Sequence, residues 1–214
     1  MGLAKTLWNE SEDLARTALE GSFVRGVADG ALPRPAFEYY VAQDAFFLEA
    51  FAKAYALALA HSPDREGLSS FASLISGVIE ELDLHAGYAK RWNVDLENVE
   101  PGEATLAYTD FLLSTASRSS VGETCAAMTP CMRLYAFLGR ELNKEGAPEE
   151  NPYSEWIEAY SAPEFENLAE TLEGLLDRYA EDTPPVRRAY RRAMRLEATF
   201  FEAASDTNDE GGGE

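Results

Sequence analysis

An all-α, single-domain helical bundle is the fold class this sequence predicts. Apolar residues recur at three- and four-residue spacing almost everywhere, no clean alternating run appears, and no linker is long enough to separate two domains. A first helix is expected over 3–28, and Pro33 and Pro35 open a second over 34–60. Ser62-Pro63-Asp64 offers an N-cap with proline in the first turn, which starts a third helix over 64–91. A fourth follows over 103–118. Ser120-Val-Gly-Glu123 has capping-box spacing and opens a fifth over 121–143. A short helix over 152–160 leads to Ser161-Ala-Pro-Glu164, a second capping-box pattern that starts a helix over 163–181. Thr183-Pro184 caps the last helix, 184–204. The intervening segments 92–102 and 144–151 are rich in Asn, Gly, Pro and acids and read as loops. Residues 1–205 are therefore expected to form one domain. The acidic, glycine-rich stretch 206–214 has nothing apolar to bury and is expected to be a disordered tail.

Composition narrows the function. Acids outnumber bases 38 to 18, giving a formal net charge of −20. Such a surface repels phosphate backbones and anionic membranes, so no nucleic acid is expected as a partner. The one basic cluster, Arg187, Arg188, Arg191, Arg192 and Arg195, has helical spacing and reads as a solvated face that neutralises nearby acids. No run of 18 apolar residues and no signal-peptide core occurs, so neither a membrane nor secretion is expected, and the cytoplasm is the default. Cys125 and Cys131 lie six apart in one predicted helix, too far along its axis for a disulfide.

The informative residues are polar ones in apolar stripes. On the second helix Asp44 interrupts Phe37, Tyr40, Val41, Phe47, Leu48 and Phe51; on the last, Glu197 interrupts Tyr190, Ala193, Met194, Phe200 and Phe201. A buried carboxylate is costly unless paired or protonated. Each acid could meet a buried arginine or a backbone amide, or both could belong to a pocket for a polar ligand. Cys131 follows Pro130, which cannot donate to the carbonyl of Ala126 and is expected to kink the helix. Ala127, Cys131, Tyr135 and Leu138 then share a face. A buried cysteine is usually inert packing, but a kink and a tyrosine one turn away also suit a nucleophile. Tyr108, Tyr160 and Phe47, taken singly, read equally well as core. Glu81 and His85, one turn apart, read as a structural pair, and two histidines in the chain, His61 and His85, are too few for a di-iron or haem site. No metal and no cofactor is expected.

These residues, in this order, resemble the TenA (thiaminase II) family of the cysteine-containing type over nearly the full chain. The matching segments are Leu7-Trp8, Tyr40-Val-Ala-Gln-Asp44-Ala-Phe-Phe47, Glu81 to His85, Leu106-Ala-Tyr108-Thr109, Pro130-Cys131-Met-Arg-Leu-Tyr135, Trp156-Ile-Glu-Ala-Tyr160 and Glu197-Ala-Thr-Phe200-Phe201. The resemblance implies a haem-oxygenase-like bundle, usually a homotetramer. It implies hydrolysis of 4-amino-5-aminomethyl-2-methylpyrimidine, or of thiamin, to the hydroxymethylpyrimidine used in thiamin salvage. It further implies that Cys131 is the nucleophile and Glu197 the acid–base group. Asp44 would contact the pyrimidine, with Phe47, Tyr108, Tyr135, Tyr160 and Phe200 around it. Phe47 stands where many relatives carry tyrosine, which removes one pocket hydroxyl. The rivals are a metal- or redox-active member of the same fold and a non-catalytic binding or regulatory protein.

Overall fold

The computed structural model describes residues 2–206 other than 97, 147 and 149. Among the described residues the chain forms ten α-helices and no strand. They are α1 (Leu3–Asn9), α2 (Glu12–Glu20), α3 (Ser22–Asp29), α4 (Arg34–Ala60), α5 (Arg65–Trp92), α6 (Glu103–Arg118), α7 (Val121–Glu145), α8 (Ser154–Ser161), α9 (Pro163–Tyr179) and α10 (Pro184–Asp206). The all-α bundle is the predicted one, and the bounds of α4 and α6 fall where periodicity and punctuation place them. The tail expected from 206 lies outside the described residues apart from Asp206, which ends α10.

The single helix expected over 3–28 is instead three. Glu10 and Ser11 end one helix and start another, and Gly21 takes an extended conformation between α2 and α3. The breaks let short helices wrap the bundle: α2 and α3 pack on α10, and α1 packs on α9. Arg187 reaches Glu10 and Asp182, and Arg191 pairs with Asp13 at 2.8 Å, so the basic face of α10 does neutralise nearby acids. Gly30, at φ +68°, closes α3 in a left-handed cap that favours glycine.

Two caps differ from expectation. Asp64, not Ser62, caps α5, accepting from the amide of Gly67 at 2.9 Å. Ser161 is the last residue of α8, and α9 opens on Ala162 without a side-chain cap, so that capping box does not form. Ser120 does cap α7, accepting from the Glu123 amide.

α7 is the axis of the bundle. Its residues from Val121 to Ala136 are all buried except the half-buried Glu123, and α6, α8, α9 and α10 surround it. The helix runs through Pro130 without interruption. Gly139 lets α8 sit directly on this axis, because a Cβ there would fall on the backbone of Tyr160 and Ser161. α4 crosses the other side of the core, packed between α5 and α6. Both cysteines are free. Among the described residues no helix is long and apolar enough to cross a membrane.

Candidate active site

The core positions of α4, α5, α6, α7, α8 and α10 converge on one polar cluster. Asp44, 3 % exposed, is its α4 member. Tyr40, one turn earlier, donates its hydroxyl to Asp44 Oδ2 at 3.0 Å, and Trp156 Nε1 donates to the Tyr40 oxygen at 3.2 Å. His85 Nε2 lies 2.7 Å from the same Asp44 oxygen, an ion-pair contact rather than an aligned hydrogen bond. The other ring nitrogen, Nδ1, is 2.9 Å from the backbone carbonyl of Glu81. A carbonyl only accepts, so Nδ1 carries a hydrogen. A neutral ring would then turn a lone pair at Nε2 towards the carboxylate, so a proton must lie between His85 and Asp44. Burial alone would lower the His85 pKa; its bond to Asp44 and the negative charges of Asp44 and Glu81 outweigh that and raise it.

The expected Glu81–His85 pair is therefore corrected: the two side chains have different partners. Glu81 Oε1 accepts from the Tyr160 hydroxyl at 2.6 Å. Burial, then the charge of Asp44, raises the Glu81 pKa to about 7.

The second half of the cluster holds the thiol. Tyr108 on α6 donates to Glu197 Oε1 on α10 at 2.6 Å, and Cys131 lies near enough to the same carboxyl group for each to shift the other's proton affinity. Burial raises Glu197 to about 8, against the pull of these two neighbours. Cys131 is pushed well above the ordinary thiol range by burial first and then by the negative charges of Glu197, Glu81 and Asp44. Raised in this way, the resting thiol is neutral.

Aromatic rings close the walls. Phe47 packs on Tyr108 at 4.8 Å and on Phe200 at 5.8 Å between centroids. Tyr135 packs on Tyr160 at 4.7 Å and on Phe201 at 5.4 Å, and its hydroxyl is 3.4 Å from that of Tyr40. All eight residues singled out from sequence thus lie in one connected region. Four others were missed as members. Tyr40 could have been found as the residue one turn before Asp44, and Glu81 and His85 from their shared inward face. Trp156 carries no comparable signal. The buried arginine that might have paired the acids exists, as Arg133, but it is bound to Glu166 and Glu173. Among the described residues no three His, Cys, Asp or Glu side chains form a metal-binding group.

Comparison with known proteins identifies the family. The model of the TENA/THI-4/PQQC family matches residues 8–207. An aminopyrimidine aminohydrolase of Halalkalibacterium halodurans is 32 % identical, covering 95 % of this chain and 96 % of that one. The mitochondrial bifunctional TH2 protein of Arabidopsis thaliana is 34 % identical over 92 % of this chain, which spans only 36 % of that longer relative. A crystal structure of a TenA family transcription regulator from Silicibacter sp. TM1040 superposes with a TM-score of 0.89 at 27 % identity, covering 96 % of this chain and 97 % of that one. The chain belongs to the TENA/THI-4/PQQC family.

Proposed function

We propose that this protein hydrolyses an aminopyrimidine at its exocyclic methylene, converting 4-amino-5-aminomethyl-2-methylpyrimidine to its 5-hydroxymethyl counterpart for thiamin salvage. The observation that carries this is the meeting of Cys131 and Glu197, both buried and side by side, inside an aromatic-walled site that Asp44 completes. The aminopyrimidine aminohydrolases among its relatives support the substrate class.

The geometry supports the following steps. Asp44, held by Tyr40 and His85 through Oδ2, keeps Oδ1 to accept from the 4-amino group of the ring. Phe47, Phe200 and Tyr135 stack on or flank its faces. Glu197 takes the Sγ proton of Cys131, and the thiolate forms a C–S bond to the electron-poor ring. The electron pair then expels the exocyclic C–N bond, and the amine leaves with a proton from Glu197. Water adds its oxygen to the methylene and gives its proton back to Glu197. The electrons of the exocyclic C=C bond return to the ring and restore its aromaticity, the C–S bond breaks with its pair leaving on sulfur, and Glu197 returns the proton to the Cys131 thiolate. A protonated aminomethyl group would favour the ionised forms of Glu197 and Glu81, whose raised proton affinities let them lose a proton near neutral pH.

The same reading treats residues 1–205 as one catalytic domain of a cytoplasmic homotetramer, which sedimentation at equilibrium tests for mass. The activity is tested by incubating the purified protein with aminomethylpyrimidine, its N-formyl derivative and thiamin in parallel. Ammonia release from the first, with a transient pyrimidine adduct on the Cys131 peptide, is expected. Absence of turnover for all three would overturn the proposal.

A further inference from the structure

Asp44, Cys131 and Glu197 are each at most 8 % exposed, so any ligand must reach them through the protein. Glu81, by contrast, is half-buried, the least enclosed member of the polar cluster. With Tyr160 it also lines a hollow of about 190 Å³ between α5, α8 and α9, whose walls include Leu84, Ala159, Phe165 and Leu168. Pockets for drug-sized ligands hold about 300–1,000 Å³, so this hollow suits something smaller, such as a single substituted pyrimidine ring. Among the described residues three larger hollows, between α6 and α10, between α5 and α9, and beside α1, are lined by none of the cluster's residues.

Glu81 and Tyr160, which both line this hollow, are joined by the 2.6 Å hydrogen bond from the tyrosine hydroxyl. Its two halves differ in freedom. Tyr160 is wedged against Tyr135 and Trp156, each at 4.7 Å, and against Phe165 at 4.9 Å. Its backbone rests on Gly139, where the close approach leaves no room to shift. Glu81 is an unbranched side chain on a partly exposed face of α5, and its rotation breaks one hydrogen bond without disturbing the aromatic stack.

We propose that this hollow is the entrance to the buried site and that the Glu81–Tyr160 hydrogen bond is its inner latch, opened by rotation of Glu81. The substrate named for it rests on the hydrolase reading; the path to Cys131 does not. The experiment therefore reads both. Ala159→Trp and Leu84→Trp each fill the hollow, while Ser114→Trp fills the larger α6–α10 groove as a control. The rate at which methyl methanethiosulfonate modifies Cys131 is followed by peptide mass spectrometry, which separates it from Cys125. Both filling variants should slow modification by about tenfold or more, with kcat/KM for aminomethylpyrimidine falling alongside and kcat falling less. Glu81→Ala should speed modification, and Ser114→Trp should leave it unchanged. Wild-type modification rates in two filling variants whose melting curves match the parent would overturn the entrance. A wild-type protein that turns over no aminopyrimidine would overturn the catalytic reading, while the modification rates still decide the route.

Discussion

Cys131 and Arg133 lie two residues apart on α7 and are both buried, yet their polar surroundings are opposite in kind. Arg133 donates from Nε and Nη2 to the two oxygens of Glu173, at 2.9 and 2.7 Å, and from Nη1 to Glu166 at 2.6 Å. Its charge is closed by opposite charge, the arrangement that keeps a buried cation tolerable. Cys131 lies among the acids Glu197, Glu81 and Asp44, and Glu197 and Glu81 are lifted to about 8 and about 7. Groups left in that condition hold and release protons near neutral pH. The first arrangement serves stability; the second is a capacity for chemistry held at a cost in stability.

Substitutions on the two faces of α7 should separate these roles. Cys131→Ala should lower turnover of aminomethylpyrimidine by about a thousandfold or more with the melting curve unchanged. Arg133→Met, corrected for folded protein, should keep turnover within about twofold. Ammonia release at saturating substrate measures both, and comparable losses would erase the distinction.

Wild type should show a limb of the pH–rate profile near pH 8, and Glu197→Gln should remove it and cost about a hundredfold in kcat. Stability gives an independent readout. The folded-state pKa of Glu197 is raised from 4.5 to about 8, so the native protein binds more protons than the unfolded chain between those values. Wild-type stability should therefore fall as pH rises through that window and level off above it. Denaturant melts of Glu197→Gln should lose part of that slope and show the variant gaining on wild type at pH 8 relative to pH 5. A slope identical to wild type would mean that Glu197 is ionised in the fold.

Arg133→Met should instead destabilise the fold, by about 2–3 kcal/mol, because Glu166 and Glu173 lose their partner while remaining only partly exposed. Adding Glu166→Gln and Glu173→Gln should recover most of it in urea melts. His85→Gln removes the proton between the ring and Asp44, and should raise KM about five- to tenfold with a smaller change in kcat. The smallest effect concerns the surface. At a net charge of −20, raising KCl from about 0.1 to 1 M shortens the Debye length from about 10 to 3 Å and should raise the melting temperature by a few degrees.

How much was legible follows the same division. The stripe of α4 shows both that the segment is a helix and that Asp44 breaks its apolar face, since period and polarity are local properties. Glu197 on α10 is visible for the same reason. The break of 3–28 into three helices was not, because Glu10 and Asp13 are fixed by Arg187 and Arg191 some 180 residues later. The failed cap at Ser161 is similar, for the close seat of α8 on Gly139 sets where that helix ends. His85 illustrates the limit most clearly. Its spacing from Glu81 pointed to that side chain, whereas the ring uses the Glu81 carbonyl and turns its other nitrogen to Asp44 on a neighbouring helix.

By itself the sequence determined the helical class, most element bounds, and which positions carry chemistry in an apolar setting, because periodicity and residue type act within a few turns of chain. Only the tertiary structure decided that those positions share one site, that Arg133 belongs to Glu166 and Glu173, and that His85 serves Asp44. Pairing between helices depends on how they cross, and the proton affinities of Cys131, Glu81 and Glu197 depend on the charges and burial that the crossing brings together.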